Sequence, residues 1–332
     1  MTTSPALRAG RDEDSAGFIA LIGTCWAEYP GNILDVDGEV PELRALASYY
    51  AKQGGALWAA DHDGRVAGMV GTRPLGGGDW EICKMYTDAA LRGAGLAQRL
   101  IGAAEDFARA QGGTRMRLWS DTRFDRAHRF YEKQSYVRSG PLKVHNDLSN
   151  SIEFEYAKPL AGVVVERLDA AGAASAEARL AVILQDCVDA GASVSFMPPL
   201  AREAASRFWR GRASDVAQGK RVLLVAWVDG VLAGTAMLDL DMPPNQRHRA
   251  DVQKLLVHPA ARRRGVARLL MARIEAESRA AGRSLLVLDT RAGDGAEALY
   301  RGTGWTEVGQ IPDFALNAAG TLDATILFWK KV

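Results

Sequence analysis

Three arginines and a glycine, Arg262-Arg263-Arg264-Gly265, follow an apolar run with strand character, Asp251 to Val257, and its closing Pro259. A helical pattern then begins at Val266 and Ala267, carrying Leu269, Leu270 and Ile274 among polar residues and closing at Gly282. Such a turn can hold a phosphate. A chain entering a helix presents backbone N–H groups with no partner behind them, at the positive end of the helix dipole. Gly265 has no side chain to keep an anion at a distance. Three arginines alone fit a solvated basic surface equally well, but the arrangement occurs twice. Glu81-Ile82-Cys83-Lys84-Met85-Tyr86-Thr87 leads through Arg92-Gly93-Ala94-Gly95-Leu96-Ala97 into another helix, 170 residues before the second copy. One such turn is a weak signal, whereas two with matching flanks are a strong one.

The elements that must position these turns also recur in order. Strands are expected at Ala6–Ala9, Ala56–Ala60, Val66–Thr72, Trp80–Thr87, Met116–Trp119 and Ser151–Tyr156, with a hairpin turn at Asp63-Gly64. Helices are expected after the acidic cluster Asp12–Asp14, from Glu42 to Lys52, from Gly95 to Ala110 and from Arg126 to Lys133. Lys158-Pro159-Leu160-Ala161-Gly162 reads as a linker, so that domains of residues 1–158 and 163–332 are expected. In the second half, strands are expected at Val163–Leu168, Arg221–Trp227, Val231–Leu240, Val252–Val257, Ser284–Asp289 and Thr321–Trp329, with a hairpin at Asp229-Gly230. Helices fall within Ala173–Ala190 and Ala201–Ala217, from Gly265, and at Ala296–Arg301. The fold class this implies is α/β, a mixed sheet with helices on both faces in each half.

The chain of 332 residues with 48% apolar content has ample material for two cores. A net charge of +1 gives no reason to expect a nucleic-acid or acidic-membrane partner. Cys25, Cys83 and Cys187 are scattered, and the histidines show no pairing, so neither structural disulfides nor a metal site is expected. No apolar run is long enough for a membrane span, and the start Met1–Pro5 lacks the features of a signal peptide. A reduced, cytoplasmic protein is the expectation.

The doubled turn resembles the signature Arg/Gln-x-x-Gly-x-Gly/Ala of the GNAT superfamily of N-acetyltransferases, matched here by Arg92–Ala97 and Arg262–Ala267. The resemblance implies two tandem GNAT domains that use acetyl-CoA, with pantetheine entering a gap between two splayed central strands. It assigns cofactor binding to Met85, Tyr86, Arg92, Gly93, Ala94, Gly95, Leu96 and Ala97, and to Leu256, Val257, Arg262, Arg263, Arg264, Gly265, Val266 and Ala267. The second half, over about residues 163–329, is similar to the tabtoxin-resistance acetyltransferases in Gly191–Met197, Asp251–Leu255, Leu288–Thr290 and Ala298–Tyr300. That likeness places two candidate bases at Asp251 and Asp289, the first an aspartate where the pattern has glutamate. Glu81 and Asp121 fall at the matching places in the first half. Tyr131 and Tyr300 occupy matching short helices, as candidate acids or as rings packed in the core. Gly191–Met197 falls where the superfamily builds its acceptor pocket, with Ser193, Phe196 and Met197 as lining unless the run is a structural turn before Pro198-Pro199.

Direct transfer needs a neutral amine. A lysine-like amine near pKa 10.4 is neutral in about one molecule per 2,500 at pH 7, a deficit of about 4.6 kcal/mol, whereas an α-amine near 7.8 needs only about 1 kcal/mol. A carboxylate acting through water is an adequate base for the α-amine. A phenol near pKa 10 is a hydrogen-bond donor to a thiolate whose acid lies near 8.5, although full proton transfer is uphill by roughly 2 kcal/mol. Lys84 and Lys254 recur within the strands, either to reach carboxylates or as ordinary edge charges. Cys83 fits a small buried side chain or a ping-pong nucleophile. The expected activity is therefore acetyl transfer to a small amine or amino-acid-like molecule, in detoxification or resistance, by a monomer or homodimer. Two alternatives stand beside it: a catalytic second domain with the first reduced to a binding or dimerisation module, and a protein N-acetyltransferase.

Overall fold

The computed structural model describes residues 5–332, and the first four residues of the Met1–Pro5 start lie outside them. The first half runs β1 (Ala6–Ala9), α1 (Ser15–Trp26), α2 (Leu46–Lys52), β2 (Ala56–His62), β3 (Arg65–Gly76), β4 (Asp79–Thr87), α3 (Leu96–Ala110), β5 (Arg115–Asp121), α4 (Asp125–Lys133), β6 (Val137–Arg138), β7 (Lys143–Val144) and β8 (Ile152–Pro159). The second half runs β9 (Val163–Leu168), α5 (Ala170–Ser175), α6 (Glu177–Asp189), α7 (Arg202–Ala217), β10 (Arg221–Val228), β11 (Val231–Asp239), β12 (Arg249–Val257), α8 (Val266–Ala280), β13 (Leu285–Arg291), α9 (Ala296–Gly302), β14 (Thr306–Leu316) and β15 (Leu322–Lys331). Packing divides the chain into two compact units. One comprises the chain up to Tyr131 with Arg138–Ala161, and the other comprises Glu132–Val137 with Gly162–Val332.

The chain forms two mixed sheets, in the orders β1-β2-β3-β4-β5-β8-β6, with β7 also paired to β8, and β14-β15-β13-β12-β11-β10-β9. Both hairpins turn where Asp-Gly stands. Asp63 and Gly64 have φ of 49° and 76°, and Asp229 and Gly230 have 50° and 81°, the doubly positive pair that matches the strands' right-handed twist. In the first unit Phe18, Leu21, Ile22, Leu43, Leu46 and Tyr50 bury one face of the sheet against Leu57, Ala59 and Met69. On the other face α3 lies directly on Gly68, where an added Cβ would stand 3.0 Å from Leu100 and 3.2 Å from Leu96. Gly234 does the same beneath α8, where a Cβ would meet Val266 at 3.1 Å and Leu270 at 3.3 Å. A glycine on the neighbouring strand thus sets how closely each turn-bearing helix sits on its sheet.

Three expectations change. Lys158 and Pro159 are not linker but the end of β8, paired with Met116 and Arg115. Lys158 is buried, its ammonium 2.8 Å from Glu105 of α3, and Lys330 of β15 meets Glu275 of α8 at 2.5 Å in the same way. A long-range ion pair fastens the last strand to the helix in both units, and nothing local to Lys158 announces it. The expected helix Glu42–Lys52 opens as a 3₁₀ turn over Pro41–Ala45 before α2. Strand β14, absent from the sequence expectation, pairs with β15 and is exposed along almost its whole length.

Candidate active site

The two central strands of each sheet part company midway. Strands β4 and β5 pair in parallel from Asp79 with Arg115 to Ile82 with Leu118, yet β4 continues to Thr87 and β5 to Asp121. Strands β12 and β13 pair only from Arg249 with Leu285 to Asp251 with Val287, while running on to Val257 and Arg291. Where the pairing stops, a bulge sits on the other side of the strand. Two residues, Lys84 and Met85, oppose the one residue between Met69 and Gly71, and Lys254 and Leu255 oppose Ala236 between Thr235 and Met237. Lys84 and Lys254 take the positive φ of the bulge, 46° and 52°. Bulging increases local twist and bends the strand, which opens the gap beside it.

Each gap leads to its basic turn. Gly95 and Gly265 precede the first residues of α3 and α8 with φ of 78° and 79°, and no side chain caps either helix. A Cβ at either glycine would meet no protein atom within 4 Å. The first-turn N–H groups of α3 and α8 therefore open onto unobstructed space at the positive helix end, the place for a diphosphate. Arg92 is bound bidentately by Glu28, Arg264 pairs with Asp229 at 2.6 Å, and Arg262 donates to the Val257 carbonyl at 3.3 Å. The backbone, more than the guanidinium groups, is thus free for an anion. Leu96, Leu256 and Val266 are buried, so their side chains belong to the core and only their backbone faces the turn or gap. Replacing Gly265 by valine is expected to weaken acetyl-CoA binding about tenfold or more at that site, because φ near 79° suits glycine and the branched side chain fills the anion's approach. Calorimetric titration of the variant checks this.

In the first unit a cavity of about 640 Å³ joins the turn to the candidate residues. Glu81, Met85, Tyr86, Arg92, Gly93, Gly95, Leu96, Ala97, Asp121 and Tyr131 all line it, with Trp26, Tyr29, Tyr50, Arg73 and Phe130 supplying walls the motif did not reveal. Both carboxylates there are neutralised. Glu81 lies opposite Arg73 on β3 and meets it at 2.6 Å, and Asp121 is held at 2.6 Å by Arg123. Although burial opposes ionisation, hydrogen bonds from the Arg123 side chain and backbone bring the Asp121 carboxyl below its ordinary range. Tyr131 is buried, and burial pushes its phenol upward. Burial, then the neighbouring Glu81, push the Cys83 thiol up to about 12, which argues against a thiolate nucleophile there. Iodoacetamide at neutral pH is expected to spare Cys83, and Cys83→Ala to leave turnover within about twofold, as peptide mapping and CoA release will report.

In the second unit Asp251 closes the paired part of β12, Asp289 lies on β13 just past that point, and the buried Tyr300 stands on α9. Burial, and then the charges of Asp239 and Asp289, raise the Asp251 carboxyl against the opposing pull of Arg249 at 2.6 Å. The residue across the sheet from Asp251 is Asp239, where the first unit has Arg73. Both Asp251 and Glu81 meet an arginine at 2.6 Å, and what sets Asp251 apart is a second carboxylate, Asp239, across the sheet. Tyr300 packs edge-on against Trp305 at 5.9 Å and tilted against Phe328 at 5.6 Å, and its hydroxyl forms no hydrogen bond with another described residue. Burial raises its phenol, with Asp294 and Asp289 adding to the shift, so that it stays protonated. On the loop between α6 and α7, Ser193 is half-buried and Met197 exposed, while Phe196 packs edge-on against Phe208 at 5.3 Å.

A splayed parallel pair, a bulge and a glycine turn at an open helix start, all present twice, define the scaffold of a coenzyme A-dependent acyltransferase. The acetyltransferase (GNAT) family model matches residues 23–136 and 192–305, more than half of the chain. An uncharacterized N-acetyltransferase of the hisH-hisA intergenic region of Azospirillum brasilense is 37% identical over 131 residues, 39% of this chain and 76% of that protein. YjgM, an uncharacterized N-acetyltransferase of Escherichia coli, is 34% identical over 134 residues, 39% of this chain and 80% of that protein. The structure of yncA from Salmonella typhimurium with its cofactor acetyl-CoA aligns at 19% identity over 51% of this chain and 94% of that one, with a TM-score of 0.42. The chain belongs to the GNAT acetyltransferase family, is an acyltransferase, and carries two copies of the family's domain. Its cofactor is acetyl-CoA, which supplies the acyl thioester; the open turns and gaps fit it. Among the described residues no helix is long and apolar enough to cross a membrane.

Proposed function

We propose that the second unit transfers the acetyl group directly to the amine of a small amino-acid-like acceptor. What supports this reading is the place of Asp251, where β12 and β13 separate, with its carboxyl raised by burial and by Asp239 and Asp289, and with Tyr300 within the influence of the same Asp289 charge. Asp251 takes the amine proton through a water, Asp289 adds negative charge that favours the incoming ammonium group, and the Tyr300 hydroxyl donates to the departing thiolate. An α-amine whose carboxyl is blocked needs only about 1 kcal/mol to reach its neutral form, one beside its own free carboxylate needs more, and both need less than a lysine-like amine. Ser193, Phe196 and Met197 supply the acceptor side, and detoxification is the role that the likeness of this half suggests. A screen of CoA release with the free amino acids and with lysine-containing peptides tests the reading: acetylation confined to peptide lysines overturns it.

A second reading concerns the first unit, as a domain that binds acetyl-CoA without turning it over. It is favoured by Arg73 on Glu81 and by Arg123 on Asp121, whose carboxyl is brought below its ordinary range where that of Asp251 is raised. Acetyl-CoA titration finding two sites, with turnover abolished by Tyr300→Phe alone, supports it. Residual turnover that then disappears in Tyr131→Phe overturns it.

A further inference from the structure

The acceptor side of the second unit holds two cations that the reaction so far does not use. Lys254 stands in the β12 bulge, half-buried, and forms no hydrogen bond or ion pair with another described residue. Its Nζ lies 5.6 Å from the centre of the Phe208 ring, and the guanidinium of Arg212, one turn further along α7, lies 5.3 Å from the same ring. Arg212 meets Asp215 at 3.2 Å, but its Nε is buried without a hydrogen-bond partner. Arg221, the other cation close by, is fully engaged: Asp215 at 2.9 Å, Asp239 at 2.8 Å and Gln253 at 2.9 Å. A buried donor with no acceptor and a half-buried ammonium with no counter-ion both carry a desolvation cost that a bound anion would remove. Lys84, the equivalent lysine of the first unit, is already answered by Glu42 at 3.6 Å, so the vacancy belongs to the second unit.

We infer that Lys254 and Arg212 form a subsite for an anionic group of the acceptor, a carboxylate carried on the same small molecule as the amine. The subsite rests on the reading of the second unit as an acetyltransferase of small amines, and it adds the feature that decides among them. Phe208, with Phe196 edge-on against it, is the apolar surface that both cations border. Burial, with the cations Arg221 and Arg212, lowers the Lys254 amine against the opposing pull of Asp289, and an anion held beside it would favour the ammonium form. An acceptor with its ammonium at Asp251 and Asp289 and its carboxylate at Lys254 and Arg212 neutralises both ends. A simple amine leaves the cations unanswered.

The test compares CoA release by the whole chain with the free amino acids and with the corresponding amino-acid amides, in the parent and in Lys254→Met. With each acceptor corrected for its neutral-amine fraction, the parent is expected to favour acids over amides about ten- to hundredfold in kcat/KM, through KM, as loss of a charge-assisted hydrogen bond requires. In Lys254→Met the preference collapses because KM rises for the acids alone, while kcat for the amides and the affinity for acetyl-CoA stay unchanged. Equal use of acids and amides by the parent, or an unchanged preference in the variant, overturns the subsite and leaves the acetyltransferase reading standing. If no small amine releases CoA, the acetyltransferase reading falls, and calorimetric titration of N-acetylated amino acids against their amides decides the subsite separately. Heat with the acids that Lys254→Met abolishes sustains it, and equal or absent heat overturns it.

Discussion

Tyr300→Phe is expected to lower kcat for acetyl transfer by the second unit about 10²–10⁴-fold, the usual range for a group that donates in the transition state. Acetyl-CoA affinity should stay within about twofold. The substitution is close to isosteric: phenylalanine keeps the contacts with Trp305 and Phe328. Because the hydroxyl bonds to no other described residue, its removal strands no buried partner, and thermal stability should be unchanged within experimental error. Burial holds the phenol protonated throughout the working pH range, so the donor is present at every pH where the base functions. A single-turnover measurement separates this from a binding defect. Should kcat survive within a factor of about two, the donor role is wrong.

Asp251→Asn is expected to lose about 10²-fold or more in turnover and to remove the acidic limb of the pH profile. In the parent that limb should lie above the ordinary carboxylate range, because Asp251 must be ionised to accept a proton and its folded pKa is raised. The same shift fixes the sign of the effect on stability. With the folded pKa above the unfolded one, the favourable contribution is complete below the unfolded value and is lost as pH rises through the folded value. At pH 7 the ionised carboxylate is therefore a burden, which asparagine relieves, and the variant should melt at or above the parent's temperature. The ion pair to Arg249 that is given up is partly exposed and contributes roughly 0–1 kcal/mol. Full activity in the variant, or an acidic limb that persists unchanged, would remove Asp251 from the mechanism.

The contrast between the units shows why candidate residues read from a repeat do not come out equivalent. Glu81 and Asp251 occupy the same place relative to Lys84 and Lys254, and the motif treats them alike. Their environments differ because Arg73 faces one and Asp239 faces the other, and each partner lies on a strand paired through its own register. Asp121 likewise looks like Asp289 in sequence until Arg123, two residues away, folds back onto it. A charge's proton affinity is set within a few ångströms, and which groups lie that close depends on chain folding.

Local chemistry was legible wherever its cause is local. Asp-Gly pairs turn hairpins because they tolerate positive φ, and a glycine before an amphipathic run opens a helix without a side-chain cap. The duplication of those signals was enough to read two copies of one α/β architecture, each with a glycine turn at the start of a helix. Strand β14 escaped notice because its residues, Val308, Ile311 and Phe314 among them, stay exposed and so show no buried alternation. The bulges at Lys84 and Lys254 escaped because a bulge is a mismatch between two strands, invisible in either alone. Folding alone placed Glu105 beside Lys158, left Lys254 without a counter-ion, and faced Asp251 with another carboxylate, since each depends on register and burial contributed by residues remote along the chain.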